Sequence, residues 1–172
     1  AFNVASDGTD HIDVGTIAIA DGDITMCAWV YVTDWVSYSC IISNRGSGGG
    51  DPGVQIRHDN GTQKFELLID DGVDSSKPNA GELKESNRWY HVCGVWDRDD
   101  KQYLYVDGVL EASGDITNEA GSLAHSTNVF IGKNAGSVEH RGYICNVGYW
   151  NRTLSQAEIK SIMWKNYADL TS

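Results

Sequence analysis

Residues 89–108, WYHVCGVWDRDDKQYLYVDG, leave the backbone few options. Tyr90, Val92 and Gly94 fall on one side of an extended run, and His91, Cys93 and Val95 on the other, the two-residue period of a strand. Asp97 to Lys101 form a polar turn, Gln102 to Val106 the return strand, and Asp107-Gly108 a turn pair that tolerates positive φ. The hairpin puts Cys93 in mid-strand, where it is a buried small residue, a reactive thiol or half of a disulfide.

Strand patterns recur along the chain. In ITMCAWVYV (24–32), Ile24, Met26, Ala28, Val30 and Val32 share one face and Thr25, Cys27, Trp29 and Tyr31 the other, a pattern that places protein against both. Residues 12–14 and 17–19 are short alternating segments split by Gly15, and 38–43 form another strand. VQIRH (54–58) and QKFELLI (63–69) flank a turn at 59–62 as a second hairpin, and GSGGGDPG (46–53) is a surface loop. Residues 70–88 read as a long polar excursion with room for an edge strand, and 128–132 and 143–150 are the last strands. The one convincing helix begins at Ser155, whose side chain and that of Glu158 form a capping box ahead of Ile159, Ile162 and Met163. Many short strands and one late helix predict an all-β fold, a two-sheet antiparallel jelly-roll sandwich with one short C-terminal helix. A chain of 172 residues fills a single domain, 1–172.

With 24 acidic against 13 basic residues the formal net charge is −11, a field that repels nucleic acid and anionic lipid. No apolar run approaches the ~20 residues that span a bilayer, so membrane insertion is not expected. The start at Ala1 reads as a processed chain or a domain of a larger, multidomain parent. No nucleophile elbow, zinc-protease helix motif or phosphate loop occurs. Glu66 and Asp70 share a strand face but lie roughly 13 Å apart along it, too far for paired glycosidase carboxylates. The chain reads as non-enzymatic.

Four motifs in order carry a resemblance. SDGTDHIDVG (6–15), ITMCAWVYV, WYHVCGVW with LYVDG, and GYICNVGYWNRTLSQAEIKSI (142–162) together resemble the laminin-G-like and pentraxin-like jelly rolls of the concanavalin A-like superfamily, over nearly the whole chain. The resemblance implies a disulfide between the second strand and the middle hairpin, at Cys27 and Cys93. A bridge closing about 65 residues contributes on the order of 4 kcal/mol and implies an oxidising compartment. Cys40 and Cys145 have no counterpart, and a second bridge between them stays open. Laminin-G-like relatives imply one structural Ca²⁺, with Asp7 and Asp10 as candidate ligands. Asp51 matches one loop of the pentraxin Ca²⁺ site. The other loop carries Lys133 and Asn134 where that family has an acidic cluster, so its two-ion recognition is not expected.

Sugars are held on aromatic faces rimmed by hydrogen-bonding groups. Candidates in loops are Trp35 and Tyr38, then Arg57, His58 and Asn60 near the second hairpin, and His140 and Arg141. Trp29, Trp89, Trp96 and Trp150 read as core, as does Trp164 behind the helix, leaving Trp35 as the exposed indole. The expectation is a non-catalytic, lectin-like module that binds a glycan or surface polysaccharide, on an extracellular, cell-surface or virion protein, with room for homo-oligomerisation. The alternative is a structural or adhesion module with protein partners and no glycan affinity.

Overall fold

The computed structural model describes residues 2–4, 10–17, 21–46, 48, 50–59, 61–124, 128–136 and 139–165. In chain order the strands are β1 (Phe2–Val4), β2 (Ile12–Gly15), β3 (Ile24–Asp34), β4 (Cys40–Ser43), β5 (Gly53–His58) and β6 (Phe65–Asp70). They continue as β7 (Ser75–Ser76), β8 (Trp89–Trp96), β9 (Lys101–Val106), β10 (Val109–Asp115), β11 (Val129–Ile131) and β12 (Arg141–Trp150), and α1 spans Gln156–Ile162. Ile17 is described, but the rest of the expected 17–19 strand lies outside the described residues.

Two antiparallel sheets result, in the orders β1-β12-β3-β8-β9-β10 and β2-β11-β4-β5-β6-β7. They pack face to face as a jelly-roll sandwich. Met26, Ala28, Val30 and Val32 of β3 and Val92 of β8 meet Ile41, Ile56, Phe65, Leu67 and Ile69 from the second sheet in one buried cluster. Burying each such side chain is worth roughly 1.5–3 kcal/mol. The period-2 pattern of β3 and β8 therefore has the physical cause assigned to it: one set of alternating residues makes the core.

Two glycines are set by indoles. A Cβ on Gly94 would lie 2.6 Å from the Trp96 ring, and one on Gly148 would lie 2.3 Å from the Trp150 ring. In GVW and in GYW the Trp folds back over the residue two before it, which has to be Gly.

Cys27 and Cys93 stand opposite each other in the β3–β8 ladder, with Cα atoms 4.1 Å apart, and are disulfide-bonded. Cys40 and Cys145 are free thiols; Cys40 is fully buried, and burial pushes its pKa to about 12. The disulfide lies under α1. Cys27, Cys93, Val95, Leu154 and Ile159 form a second buried cluster, so the helix covers part of the outer face of the first sheet. The capping box that starts α1 is present, Ser155 N donating to Glu158 Oε2 at 2.8 Å and Glu158 N to Ser155 Oγ at 3.3 Å. Among the described residues no helix is long and apolar enough to cross a membrane.

Candidate functional site

The loop residues singled out as a sugar platform do not form one. Trp35 is half-buried: its ring lies 4.6 Å from that of His58 and 5.2 Å from Phe65, and its Nε1 is buried with no hydrogen-bond partner. The segment after β3 turns inward, with Ser39 N donating to Val36 O and His58 N to Ser39 O, and this tucks the indole onto the core. His58 is fully buried beside His140, with Nδ1 hydrogen-bonded to Ser39 Oγ at 2.9 Å. Burial holds its pKa well below the usual histidine value. His140 is likewise buried, donating from Nε2 to Tyr31 O at 3.1 Å, and Arg141 pairs with Asp34 at 2.5 Å.

Arg57 lies on the side of β5 away from the core, yet its donors are taken. Nε and Nη2 bind Glu66 Oε1, Nη1 reaches Gln55 Oε1 at 3.4 Å, and the guanidinium sits 4.7 Å from the centre of the Tyr38 ring. Burial pushes the Glu66 carboxyl up, with Arg57 pulling against it. Tyr38 is 40 % exposed, held at φ 61°, and is the one residue of the set that presents a ring to solvent. Asn60 lies outside the described residues.

The acidic residues mostly shape loops. Hydrogen bonds from Gly15 N, Ser122 Oγ and Thr117 Oγ1 hold the carboxyls of Asp13, Asp21 and Asp115 below the usual range. Asp71 accepts from Val73, Asp74 and Gly121. Asp51, the candidate ligand, accepts from Gly48 N at 2.6 Å and closes its own loop. Asp7 lies outside the described residues, and Asp10 is half-buried ahead of β2. Among the described residues no group of three or more His, Cys, Asp or Glu is arranged to hold a metal ion.

Open aromatic surface lies elsewhere, on the outer face of the first sheet. Because β8, β3 and β12 are in register there, their outward residues form rows: Trp89, Tyr31 and Tyr143, then His91, Trp29 and Cys145, then Cys93, Cys27 and Gly148. In the first row the ring centres are 5.5 and 5.6 Å apart, tilted or edge-on. In the second, Trp29 packs edge-on to His91 at 5.5 Å and donates from Nε1 to Met163 O at 2.7 Å. Trp164, just past α1, lies 5.3 Å from Trp29. The helix shields the third row; in the second His91 is buried and Trp29 half-buried, and the open surface is made by Trp89 and Tyr143 of the first row, 36 % and 39 % exposed, with Trp164, 75 % exposed, beside Trp29. Trp29, Trp89, Asn146, Met163, Trp164 and Lys165 thereby line an open cleft of about 400 Å³.

This corrects the assignment of Trp89 and Trp164 to the core; Trp29 is half-buried. Trp96 does lie there, fully buried, and Trp150 is half-buried under the helix. The signal was present in the sequence: period 2 sets Trp29 and Tyr31 opposite Met26 and Ala28, away from the core face. It does not say that the helix stops short of covering them.

With this geometry in place, comparisons give the chain its kin. A laminin G-type family model of the concanavalin A-like lectin/glucanases superfamily matches residues 6–160. A search of curated proteins finds none that matches. Among solved structures, the native heptameric SAP-like pentraxin of Limulus polyphemus is 14 % identical with a TM-score of 0.71, covering 94 % of this chain and 78 % of that one. The CBM40 of the Ruminococcus gnavus IT-sialidase is 15 % identical with a TM-score of 0.72, covering 88 % and 91 %. A proposed carbohydrate binding protein from Bacteroides ovatus is 18 % identical with a TM-score of 0.69; the match covers 88 % of this chain but 44 % of that one. At these identities the likeness is one of fold.

Proposed function

The chain belongs to the concanavalin A-like lectin/glucanases superfamily, and from that premise we propose that it is a non-catalytic carbohydrate-binding module whose ligand sits in the aromatic cleft of the first sheet. One observation carries the proposal: Trp29, Trp89 and Trp164 line a single cleft, and among the described residues no carboxylate lines it in a chain of net charge −11. Indoles offer the apolar faces of a pyranose broad contact at little conformational cost. Asn146 and Lys165 supply hydrogen-bonding groups at the rim. The fold likeness to the CBM40 of a sialidase supports this reading.

The non-catalytic part rests on Glu66 and Asp70. Each is tied to an arginine, Glu66 to Arg57 and Asp70 to Arg45 at 2.7 Å, so neither is placed as one of a catalytic pair. The Cys27–Cys93 bond suits an oxidising, extracellular or surface location. Binding in the cleft is proposed to need no metal, since its described lining residues include no carboxylate.

The test is a glycan array run on the folded domain, with Ca²⁺ and with chelator, beside the Trp164→Ala variant. The proposal predicts a coherent set of hits, insensitive to chelator and lost in the variant. An empty array from folded protein would overturn it and favour the structural or adhesion reading.

A further inference from the structure

The cleft does not end at its aromatic lining. Trp29, Asn146, Met163 and Lys165 also border a smaller chamber of about 100 Å³ between α1 and the first sheet. Its other walls include Cys27, Val147, Gly148 and Ile162, which are small or apolar, and His91. Gly148 is bare because the Trp150 ring occupies the place of a Cβ. His91 is almost wholly buried and its Nδ1 has no hydrogen-bond partner. The site therefore has an open part walled by indoles, a polar border at Asn146 and Lys165, and a small, mainly apolar space beyond.

From this we infer that the cleft selects a pyranose bearing an acetamido group, the sugar ring against the indoles and the acetyl methyl in the chamber. The inference rests on the carbohydrate-binding reading and narrows it. Size limits what the chamber accepts. An apolar cavity of about 150 Å³ takes one benzene ring, so about 100 Å³ suits a substituent of a few heavy atoms and is too small for an acyl chain. An acetamido group matches the order of the surfaces. Its N–H and C=O fall at the border, where an Asn amide can accept and donate and an ammonium can donate, and its methyl falls beyond them. Position 146 can present its side chain there because the β12 register shifts between Cys145 and Gly148, with Asn146 at φ 49°. The net charge of −11 favours the same class over an acidic sugar. Arg88 and Arg141, the guanidiniums closest in sequence to the Trp89–Tyr31–Tyr143 row, are paired with Asp107 and Asp34, which leaves Lys165 as the cation among the described lining residues.

The test compares tetra-N-acetylchitotetraose with cellotetraose by isothermal titration at neutral pH. The two share a backbone linkage and differ at C2, acetamido against hydroxyl. We expect the acetylated ligand to bind at least about tenfold more tightly, the worth of one buried methyl and one hydrogen bond. Val147→Phe, a change at a 38 % exposed position in the chamber wall, should bring the acetylated ligand down to the affinity of cellotetraose or below it, whereas Trp164→Ala, in the cleft outside the chamber, should weaken both ligands together. Equal affinities, or tighter cellotetraose binding, would overturn the acetamido inference and leave the carbohydrate reading standing. So would array hits on glycans that lack an acetamido group; hits confined to glycans that carry one support it. A blank array and no heat from either tetrasaccharide would overturn both.

Discussion

The outer faces of the two sheets are built to opposite rules. On the second sheet, polar side chains answer one another: Arg57 with Glu66, Arg45 with Asp70, and Gln55 Nε2 with Ser43 Oγ at 2.9 Å. All but Arg45 are buried although they point away from the core, and each is held by a charged or polar neighbour. On the first sheet, rings meet one another edge-on or tilted, which leaves faces unmatched. A row of arginines and carboxylates looks like a binding site on paper, and here it is a closed circuit. A row of aromatic rings looks like core, and here its ends, Trp89 and Tyr143, are open. Capacity left over after neighbours are satisfied marks a site better than residue type does.

Acid offers the strongest way to strain this comparison, because a buried histidine lies under the aromatic rows and two more close one end of the sandwich. Burial lowers His91 and His140 to about 4 and holds His58 well below its usual value. Unfolded imidazoles take a proton near 6.5, whereas these folded ones stay neutral until about 4. The stability they confer is therefore complete above about pH 6.5 and falls as pH drops towards 4, by ~1.4 kcal/mol per unit for each group. His91 and His140 should each lose on the order of 3 kcal/mol across that window, seen as a falling urea midpoint. His140→Gln should flatten the fall.

Next in size is the ion pair of the second sheet. Glu66→Ala leaves Arg57 buried and unanswered and should cost about 3–5 kcal/mol by urea unfolding, with glycan affinity of the folded protein unchanged. Loss of affinity as well would bring the second face into the site. Removing the disulfide as Cys27→Ala/Cys93→Ala should cost about 2–4 kcal/mol. Trp35→Ala should cost roughly 2–3 kcal/mol, since the ring packs on the core, and leave sugar binding intact. Trp164→Ala should be the mirror image: stability within about 0.5 kcal/mol, affinity down at least about tenfold.

Much of the fold was legible because it depends on local periods. Alternation named the core face of β3 and β8, Asp107-Gly108 marked a turn, and Ser155 with Glu158 marked the helix start. The strand after that turn, β10, escaped notice because Gly114 and Asp115 mask its pattern and its Val109 and Leu110 are exposed. The site was less legible because exposure is set by distant parts of the chain. Polar neighbours at Asp34 and Ser37 suggested that Trp35 is exposed, but the turn to Ser39 sends it inward. Trp89 and Trp29 sit in strands, where an indole is ordinarily covered, and α1 stops short of covering Trp89 and covers Trp29 in part. The acidic residues raised a cation site, yet Asp51, one of the candidates, accepts from a backbone amide of its own loop, as Asp70 and Asp71 do in theirs.

The two Gly-x-Trp pairs carry a consequence for how this chain can vary over generations. Position 94 is free to change only after position 96 has lost its ring and Leu67 Cδ2, 2.7 Å from the same point, has moved away, and 148 only after 150 has lost its ring. Each pair is inherited as a unit with a required order of change: the large residue shrinks first, the small one grows second. A relative with a side chain at position 94 or 148 should also lack the matching indole.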